Sequence, residues 1–498
     1  MKKNSFILIS FGVFYLFLFP LIKAQEVVWP QFRGVNSSGI AKEGQSPPEK
    51  LDTATNLLWK TAVPEGHSSP CIWDNQIFLT GVDKDSEAFF TFCIDRKTGE
   101  QIWLQTIKTD TVETVHAISS PANATVATDG ERVYAYFGSY GLICYDLNGT
   151  EQWKIPLPVP ASRHGMGSSP IVCGDFVILN CCHDQNDPRI MAVHRENGSI
   201  VWQVDLSPRD SRLGHESYST PVIRNKEFII YRRGSIEAYN IEDGSLKWWF
   251  INTTDGVSTP VIGNGVVYVA TFTAAGDPEW QTEISDFRTL ITENDINKDS
   301  LISEEEFPKD LYFWNRPDAG EEFGSKAYLS NFFGYLDYDQ NGTIDQNEWN
   351  LTLSMFKELF SEHGLLAIDP EGKGNITFTG MQWKHVKDVP EAPCPLYFNN
   401  RIYMIKNGGI VTCLNAETGS LIFREKLGSA GAYISSPVIA GEKIYIGSRN
   451  GIISILEVSD TFNVLSQYDL NEYIMATPAI VDNKLYIRGS DFLYAFGN

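Results

Sequence analysis

The sequence predicts an all-β fold, an eight-bladed β-propeller closed by an N-terminal strand, with a small α-helical EF-hand insertion in blade five. Three observations predict it: an eightfold repeat, a single strand ahead of the first repeat, and a long interruption within the fifth. Repeats of this period are typical of closed architectures. A chain of 498 residues with 43% hydrophobic content can also bury the core that such a ring needs.

Each repeat starts with a small residue and a proline ahead of a strand-like run. Copies begin at residues 68, 119, 168, 219, 258, 393, 435 and 476, as in SSPIVCGDFVILN and STPVIGNGVVYVA. Asn, Asp or Gly separates two apolar runs in each copy, and these residues tolerate the positive φ of tight hairpins. A second hairpin follows, as in AVHRENGSIVW. Each copy therefore predicts four antiparallel strands, which form one blade.

The last copy ends at FLYAFGN and lacks a fourth strand. The stretch NLLWKTAV, at 56–63, carries Trp59 where other copies carry a tryptophan. We predict that this N-terminal strand completes blade eight, because ring closure removes exposed strand edges. The tryptophans are expected to pack between blades.

These repeats resemble the secreted β-propellers with PQQ-type repeats, a family that includes quinoprotein dehydrogenases and the outer-membrane assembly lipoprotein BamB. The resemblance rests on CIDRKTGEQIW from Cys93 to Trp103, on GGIVTCLNAETGSLIFREKLG, and on WPQFRG from Trp29 to Gly34. It extends over nearly the whole chain. It implies the fold and leaves activity undecided, because the repeat motif packs blades and carries out no reaction.

The first 24 residues have a basic start, a short apolar run and a small residue at the end, which is typical of a secretory signal peptide cleaved near Ala24. An uncleaved membrane anchor is the alternative, although the apolar run is near the lower limit for a span. We therefore predict an exported protein, periplasmic or extracellular, with no transmembrane segment after signal removal. Residues 25–55 are expected to form an N-terminal extension, and 56–272 and 365–498 the two parts of a monomeric ring.

The net charge of −22 argues against nucleic acid or an anionic membrane as partner, since both require a basic surface. The charge is uneven: residues 277–362 hold 20 acidic and 6 basic side chains. A local acidic block in an exported protein indicates cation binding. The eight cysteines lie mostly in strand-like apolar runs and are expected to be buried thiols.

The acidic block lies in an insertion, residues 273–364, that is too long for an ordinary loop and must fold by itself. It contains two stretches with oxygen ligands at EF-hand spacing, which requires positions 1, 3, 5, 7, 9 and 12 and a glycine at 6. Loop one, residues 295–306, offers Asp295, Asn297, Asp299, Leu301, Ser303 and Glu306. Loop two, residues 337–348, offers Asp337, Asp339, Asn341, Thr343, Asp345 and Glu348.

We predict that both loops bind Ca²⁺, and that loop two binds it more strongly. Loop two has Gly342 at position 6, whereas loop one has Ser300, and a non-glycine residue in the left-handed region costs roughly 1 kcal/mol. Ile302 and Ile344 are expected to pair back to back. Pro308 is expected to shorten the helix that leaves loop one. A solvated acidic loop is the alternative for either stretch alone.

Strand order places this insertion on the face where each blade's first strand begins. The same face should carry a set of polar residues just ahead of the blade prolines, a candidate ligand or partner face: His67, His116, Arg163, His164, Arg212, His215 and Glu216. Propellers bind ligands at such a channel mouth. The alternatives are histidines that only bond neighbouring loops, or a transition-metal site.

The favoured function is a non-enzymatic calcium-binding scaffold that holds a protein or glycan. The alternative is a PQQ-dependent dehydrogenase, for which the resemblance implies a vicinal disulfide beside the quinone, a general-base Asp and cofactor-bound calcium. Cys181 and Cys182 are adjacent, but strand alternation within VILNCCHDQNDP predicts opposite faces for their thiols, so PQQ is not favoured. A hydrolase or metal enzyme built on the histidines is the third hypothesis.

Overall fold

The computed structural model of the protein describes residues 27–184, 186–206, 216–317, 325–429 and 431–498. Their strands form eight blades of four antiparallel strands, which confirms the predicted propeller. The predicted signal peptide, residues 1–24, lies outside the described residues. Within the described ranges, no helix is long and apolar enough to cross a membrane.

Each blade runs from an innermost strand at the channel to an outermost fourth strand, in the following order. Blades one to four consist of Cys71–Trp73, Gln76–Asp83, Ala88–Asp95 and Gln101–Lys108; Ala127–Thr128, Arg132–Phe137, Gly141–Asp146 and Glu151–Pro156; Ile171–Cys173, Phe176–Asn180, Arg189–His194 and Ile200–Asp205; Val222–Arg224, Glu227–Arg232, Gly234–Asn240 and Leu246–Asn252. Blades five to eight consist of Val261–Gly263, Val266–Thr271, Gly364–Ile368 and Met381–His385; Leu396–Phe398, Arg401–Lys406, Ile410–Asn415 and Leu421–Lys426; Val438–Ala440, Lys443–Gly447, Ile452–Glu457 and Val464–Asp469; Ala479–Val481, Lys484–Arg488, Phe492–Phe496 and Leu57–Ala62.

Leu57–Ala62 pairs antiparallel with Phe492–Phe496, so the N-terminal strand completes blade eight as predicted. Its Trp59 packs on Gly99 in a turn of blade one, and its indole N–H donates to the carbonyl oxygen of Arg96 at 3.0 Å. A Cβ at Gly99 would lie 2.7 Å from the Trp59 ring, so only glycine fits there. The same contact joins later blades, in the pairs Trp103–Gly149, Trp153–Gly198, Trp202–Gly244 and Trp383–Gly419.

Blade two begins later than the sequence predicts. The first strand starts at Ala127. The Ser119–Pro121 motif, which matches the start of the other repeats, lies in the preceding loop. Ser119 N–H donates to the His116 carbonyl at 2.8 Å, and Ser120 N–H to the side chain of Asn123 at 3.1 Å, so the motif forms a turn. The repeat register of blade two is therefore displaced towards the C-terminus.

The insertion lies between the second and third strands of blade five, as predicted, and has its own apolar core. Its helices are α1 (Phe287–Asn294), α2 (Phe333–Leu336), which follows the 3-10 turn Leu329–Phe332, and α3 (Gln346–Glu362). Two short antiparallel pairs accompany them: Ile302–Ser303 with Thr343–Ile344, and Tyr312–Asn315 with Lys326–Tyr328. The expected pairing of Ile302 with Ile344 is thus present.

The predicted short helix after loop one is wrong. Residues 304–306 form a turn, in which the N–H groups of Glu306 and Phe307 both donate to the Ser303 carbonyl oxygen. Pro308 explains the difference, because proline has no N–H to continue a helix and disfavours helical geometry at the residue before it.

Candidate binding cavity at the channel mouth

A closed ring of hydrogen bonds surrounds the channel axis. One residue from each blade donates its backbone N–H to the side chain of its counterpart in the next blade, at 2.9 to 3.3 Å. The members are Ser69, Thr125, Ser169, Thr220, Thr259, Cys394, Ser436 and Thr477. In seven of the eight blades the acceptor is the small residue before the repeat proline, and in blade two it is Thr125. These side chains fix each blade to its neighbour and give the channel a polar wall.

Above this ring lies a cavity of about 470 Å³. Of the seven polar residues predicted for this face, four line it: His67, Arg163, His164 and Glu216. His116 stands behind them, with its ring 5.1 Å from that of His164. The remaining two, Arg212 and His215, lie outside the described residues.

The N-terminal extension crosses the opposite end of the channel. Trp29 pairs with the inner strand of blade one, the Asn36 side chain bonds the backbone of Ile223 in blade four, and the N–H of Ala41 donates to Ile439 in blade seven. Phe32, between them, lines the cavity. WPQFRG is thus a plug that closes the channel and leaves the mouth as its opening.

Arg33 fixes this plug. Its guanidinium is fully buried and donates to the carbonyl oxygens of Pro395 at 2.9 Å and Pro437 at 3.5 Å, which belong to blades six and seven. Burial lowers the pKa of Arg33. This role could not be predicted from the sequence, because the motif is short and its contacts are remote in the chain.

The cavity wall carries charges of both signs that the sequence did not single out. Arg233 lies 3.6 Å from Glu216 and 3.2 Å from Asp255, and Glu391 pairs with Arg316. Desolvation raises the pKa of Asp255 and of Glu391. Glu216, Asp255 and Glu391 lie in three successive loops between blades, so the packing of neighbouring blades brings them together.

Burial favours the neutral form of His67 and His164 at the mouth. Burial and the nearby Arg488 guanidinium lower the pKa of His67 to about 4, and burial together with His116 lowers the pKa of His164. A neutral imidazole donates one hydrogen bond and accepts another. Within the described residues, the metal-ligating group that the geometry brings together is Asp337, Asp339 and Glu348 of loop two, and the histidines form no such group.

The insertion borders the cavity directly. Arg316, which follows the strand Tyr312–Asn315, is buried, pairs with Glu391 and lies over the rings of Phe272 and Trp280. Glu391 and Phe272 both line the cavity. A change in the shape of the insertion would therefore act on the cavity wall.

A buried ionic network holds the base of the insertion. Lys406 of blade six is 2% exposed, and its ammonium lies 2.9 Å from Asp277 and 2.8 Å from Asp388. Arg424 also bonds Asp388, at 2.6 Å. Burial opposes ionisation of Asp388, but Arg424 and Lys406 outweigh it and lower the pKa of that carboxyl. The insertion is thus fixed to blades five and six.

Loop two has the geometry of a cation site. Ligand oxygens of Asp337, Asp339 and Glu348 lie within 4.8 Å of one another. The Asp337 carboxylate accepts from the N–H of Asn341 at 3.0 Å and of Gly342 at 2.8 Å, and Gly342 has φ +89°. The backbone therefore already orients the carboxylates inwards.

Loop one has similar hydrogen bonds to its carboxylates, but Ser300 takes the place of glycine at position 6. The Asp295 carboxylate accepts from Ser300 N–H at 3.0 Å, and the Glu306 carboxylate accepts from the N–H and Oγ–H of Ser303. Ser300 has φ +65°, the strained geometry expected of a non-glycine residue at position 6. Both loops thus offer carboxylate, amide and carbonyl oxygens, which are the ligands that Ca²⁺ takes.

The vicinal cysteines do not provide the disulfide of a quinone site. The prediction that they lie inside a strand is wrong, because that strand ends at Asn180. Their thiols still point apart: Cys181 packs in the apolar cluster between blades two and three, and Cys182 in the one between blades three and four. Both are free, and burial raises both pKa values, that of Cys181 to about 11. This arrangement does not fit a quinone stacked against a disulfide.

Comparisons with known proteins agree with this architecture. A family model described as outer membrane protein assembly factor BamB matches residues 50–175, 186–290 and 366–491, which leaves out most of the insertion. The BamB of Yersinia pestis is 23% identical over 436 residues, 82% of this chain and 91% of that protein. The BamB of Salmonella typhimurium is 19% identical over 307 residues, 61% of this chain and 67% of that protein.

Solved structures show the same fold. BamB from Moraxella catarrhalis has a TM-score of 0.50 at 14% identity, covering 88% of this chain and 98% of that one. A europium-containing methanol dehydrogenase has a TM-score of 0.58 at 12% identity, covering 95% and 98%. At these identities the likeness establishes the propeller and does not distinguish a binding protein from an enzyme.

Proposed function

The chain belongs to the family of the outer membrane protein assembly factor BamB, and on that premise we propose that it is an exported binding scaffold that holds a polypeptide partner at the channel mouth. The observation that supports this most is the cavity of about 470 Å³ with its floor closed by Phe32. Its volume is within the range of ligand pockets. The relatives are outer membrane protein assembly factors by name, which favours a periplasmic location and a protein partner over a glycan.

The lining supports recognition rather than reaction. Arg163 is exposed at the rim and has no ion-pair partner among the described residues, whereas Arg233 is paired with Glu216 and Asp255. Neutral His67 and His164 can each donate and accept. A polypeptide segment offers carbonyl and amide groups that match such a mixed wall. No pair of nucleophile and base is held in hydrogen-bond contact among the described lining residues.

We further propose that Ca²⁺ occupies both loops, more strongly in loop two, and stiffens the insertion as a brace for the cavity wall. The contact of Arg316 with Glu391 supports this role, because it joins the insertion to a lining residue. Extracellular sites of this class commonly work near 10⁻⁴ to 10⁻³ M, so they act as fixtures rather than sensors.

Site-specific photo-crosslinking tests the partner. A crosslinking residue at Arg163 should trap an exported polypeptide, because this side chain stands at the rim of the mouth. The matched control is Phe378, which is 96% exposed in a turn between the third and fourth strands of blade five, on the opposite face. Equal adducts from both positions, or a glycan adduct at Arg163, would refute the proposal.

Calcium titration tests the brace separately. Calcium should raise the melting temperature of the protein, and a chelator should restore protease cleavage within residues 277–362. Glu348→Gln should remove binding at loop two and leave loop one intact, because a bidentate Glu at position 12 completes the site. An unchanged melting profile with chelator would show that calcium does not stabilise the insertion. It would not contradict the proposal that the cavity binds a polypeptide.

A further inference from the structure

The insertion carries an exposed patch of large apolar side chains on its outer side. We define the outer patch as Phe332, Tyr335, Tyr338, Leu351 and Met355, with exposed fractions of 38%, 80%, 42%, 48% and 47%. Soluble proteins rarely expose contiguous apolar groups unless something binds them.

The members of the outer patch are neighbours. Leu351 and Met355 stand one turn apart on the same face of α3, since residues four apart are adjacent on a helix. The Tyr338 hydroxyl donates to the Met355 sulfur at 2.8 Å. Phe332 and Tyr335 are three residues apart at the start of α2 and lead into Tyr338. Tyr338, Leu351 and Met355 therefore form one surface, and Phe332 and Tyr335 adjoin it through the short chain segment that leads into Tyr338.

The core of the insertion does not need this face. The opposite side of α3 is already packed, with Phe356 stacked on Phe313 at a centroid distance of 4.8 Å and Trp349 fully buried. The C-terminal end of α3 is fixed to the propeller, where the Asn252 side chain donates to the Glu362 carbonyl oxygen at 2.9 Å. Leu351 and Met355 lie roughly 10 to 16 Å from that junction along the helix, at 1.5 Å per residue.

The negative charge around the outer patch favours a basic binding partner. Glu358 is exposed and lies on the same stripe of α3 as Leu351 and Met355, and residues 277–362 carry 20 acidic against 6 basic side chains. A second copy of this chain would bring an equally acidic surface, and an anionic membrane would also be repelled. A segment that is apolar on one side and cationic on the other meets neither obstacle.

We propose that the outer patch docks a basic amphipathic segment of a partner polypeptide. The aromatic rings and the methionine supply adaptable apolar contact, and Glu358 beside them can pair with lysine or arginine. This surface is separate from the cavity, so it goes beyond the function proposed above.

Fluorescence anisotropy with the full-length protein tests it. The probe is a dye-labelled peptide of about 18 residues, five helical turns, with leucine on one face and lysine on the other. The protein should bind it, and the triple variant Tyr335→Ser, Leu351→Gln, Met355→Gln should bind at least about tenfold more weakly, as loss of central apolar anchors does. The matched control, Ile200→Gln, Met381→Gln, Leu421→Gln, removes side chains of 52%, 50% and 54% exposure from outer strands and should bind normally.

Two further probes separate the explanations. A peptide of the same composition in scrambled order, and one with glutamate in place of lysine, should both bind at least about tenfold more weakly. Equal binding of the scrambled peptide, or equal losses in the two triple variants, would overturn the proposal. Binding to phosphatidylserine vesicles that depends on Tyr335, Leu351 and Met355 would also overturn it, by assigning the patch to a membrane surface.

Discussion

Glu113 is expected to make the propeller less stable as the pH rises from 4.5 to 7. The side chain lies in the loop before blade two, is 7% exposed, and has no cationic partner among the described residues. Burial raises the pKa of its carboxyl from 4.5 to about 7, and the backbone N–H groups of Glu113 and Ser139 offset this only in part. Because the pKa is higher in the folded state, this residue costs no stability below about pH 4.5 and its cost grows as the pH rises to 7.

The Glu113→Gln variant measures that cost. A pKa raised from 4.5 to about 7 corresponds to about 3 kcal/mol once both states are ionised. The variant should therefore unfold in urea with a free energy about 3 kcal/mol higher than wild type at pH 8, and within about 1 kcal/mol of it at pH 5. Glu131→Gln, at an exposed position, should change neither value. A gap that is the same at both pH values would refute the reasoning.

Three further predictions concern the insertion. Ser300→Gly should tighten calcium binding at loop one about fivefold in calorimetry by relieving roughly 1 kcal/mol of backbone strain, and Gly342→Ser should weaken loop two similarly. Lys406→Met should cost about 3 to 5 kcal/mol in urea denaturation, because Asp277 is left buried without a cation. Adding Asp277→Asn to Lys406→Met should recover much of that loss; no recovery would show that Asp277 is compensated elsewhere.

Much of the fold follows from local sequence. The first hairpin turn of each blade carries Asn, Asp or Gly where the backbone has positive φ, as at Asp74 and Asn225, so the boundaries of the first two strands can be predicted from single residues. The error at blade two has the same local origin: Ser119–Pro121 matches the motif, but the acceptor that bonds the neighbouring blades is Thr125. Only the hydrogen-bond partner distinguishes the two, and that partner lies in another blade.

The cavity was less predictable than the ring. His67 and His164 could be placed because they lie three and six residues before their blade prolines, in the loops that open at the mouth. Asp255 and Glu391 could not, since they are separated by 136 residues and the insertion, and they meet only because neighbouring blades pack side by side. The plug at Phe32 was equally hidden, because its contacts join the N-terminus to the far side of the ring.

The ring of hydrogen bonds sets the wall of the channel independently of the loops above it. At each ring position the requirement is a small side chain that accepts one hydrogen bond, which serine, threonine and, in blade six, Cys394 all satisfy. The wall geometry is therefore kept whatever the loops above it contain. Arg163 and Glu216 lie in those loops and line the cavity without taking part in the ring. Under the function proposed above, recognition of the partner is consequently assigned to the loops and to the insertion that reaches Glu391, rather than to the repeats that build the blades.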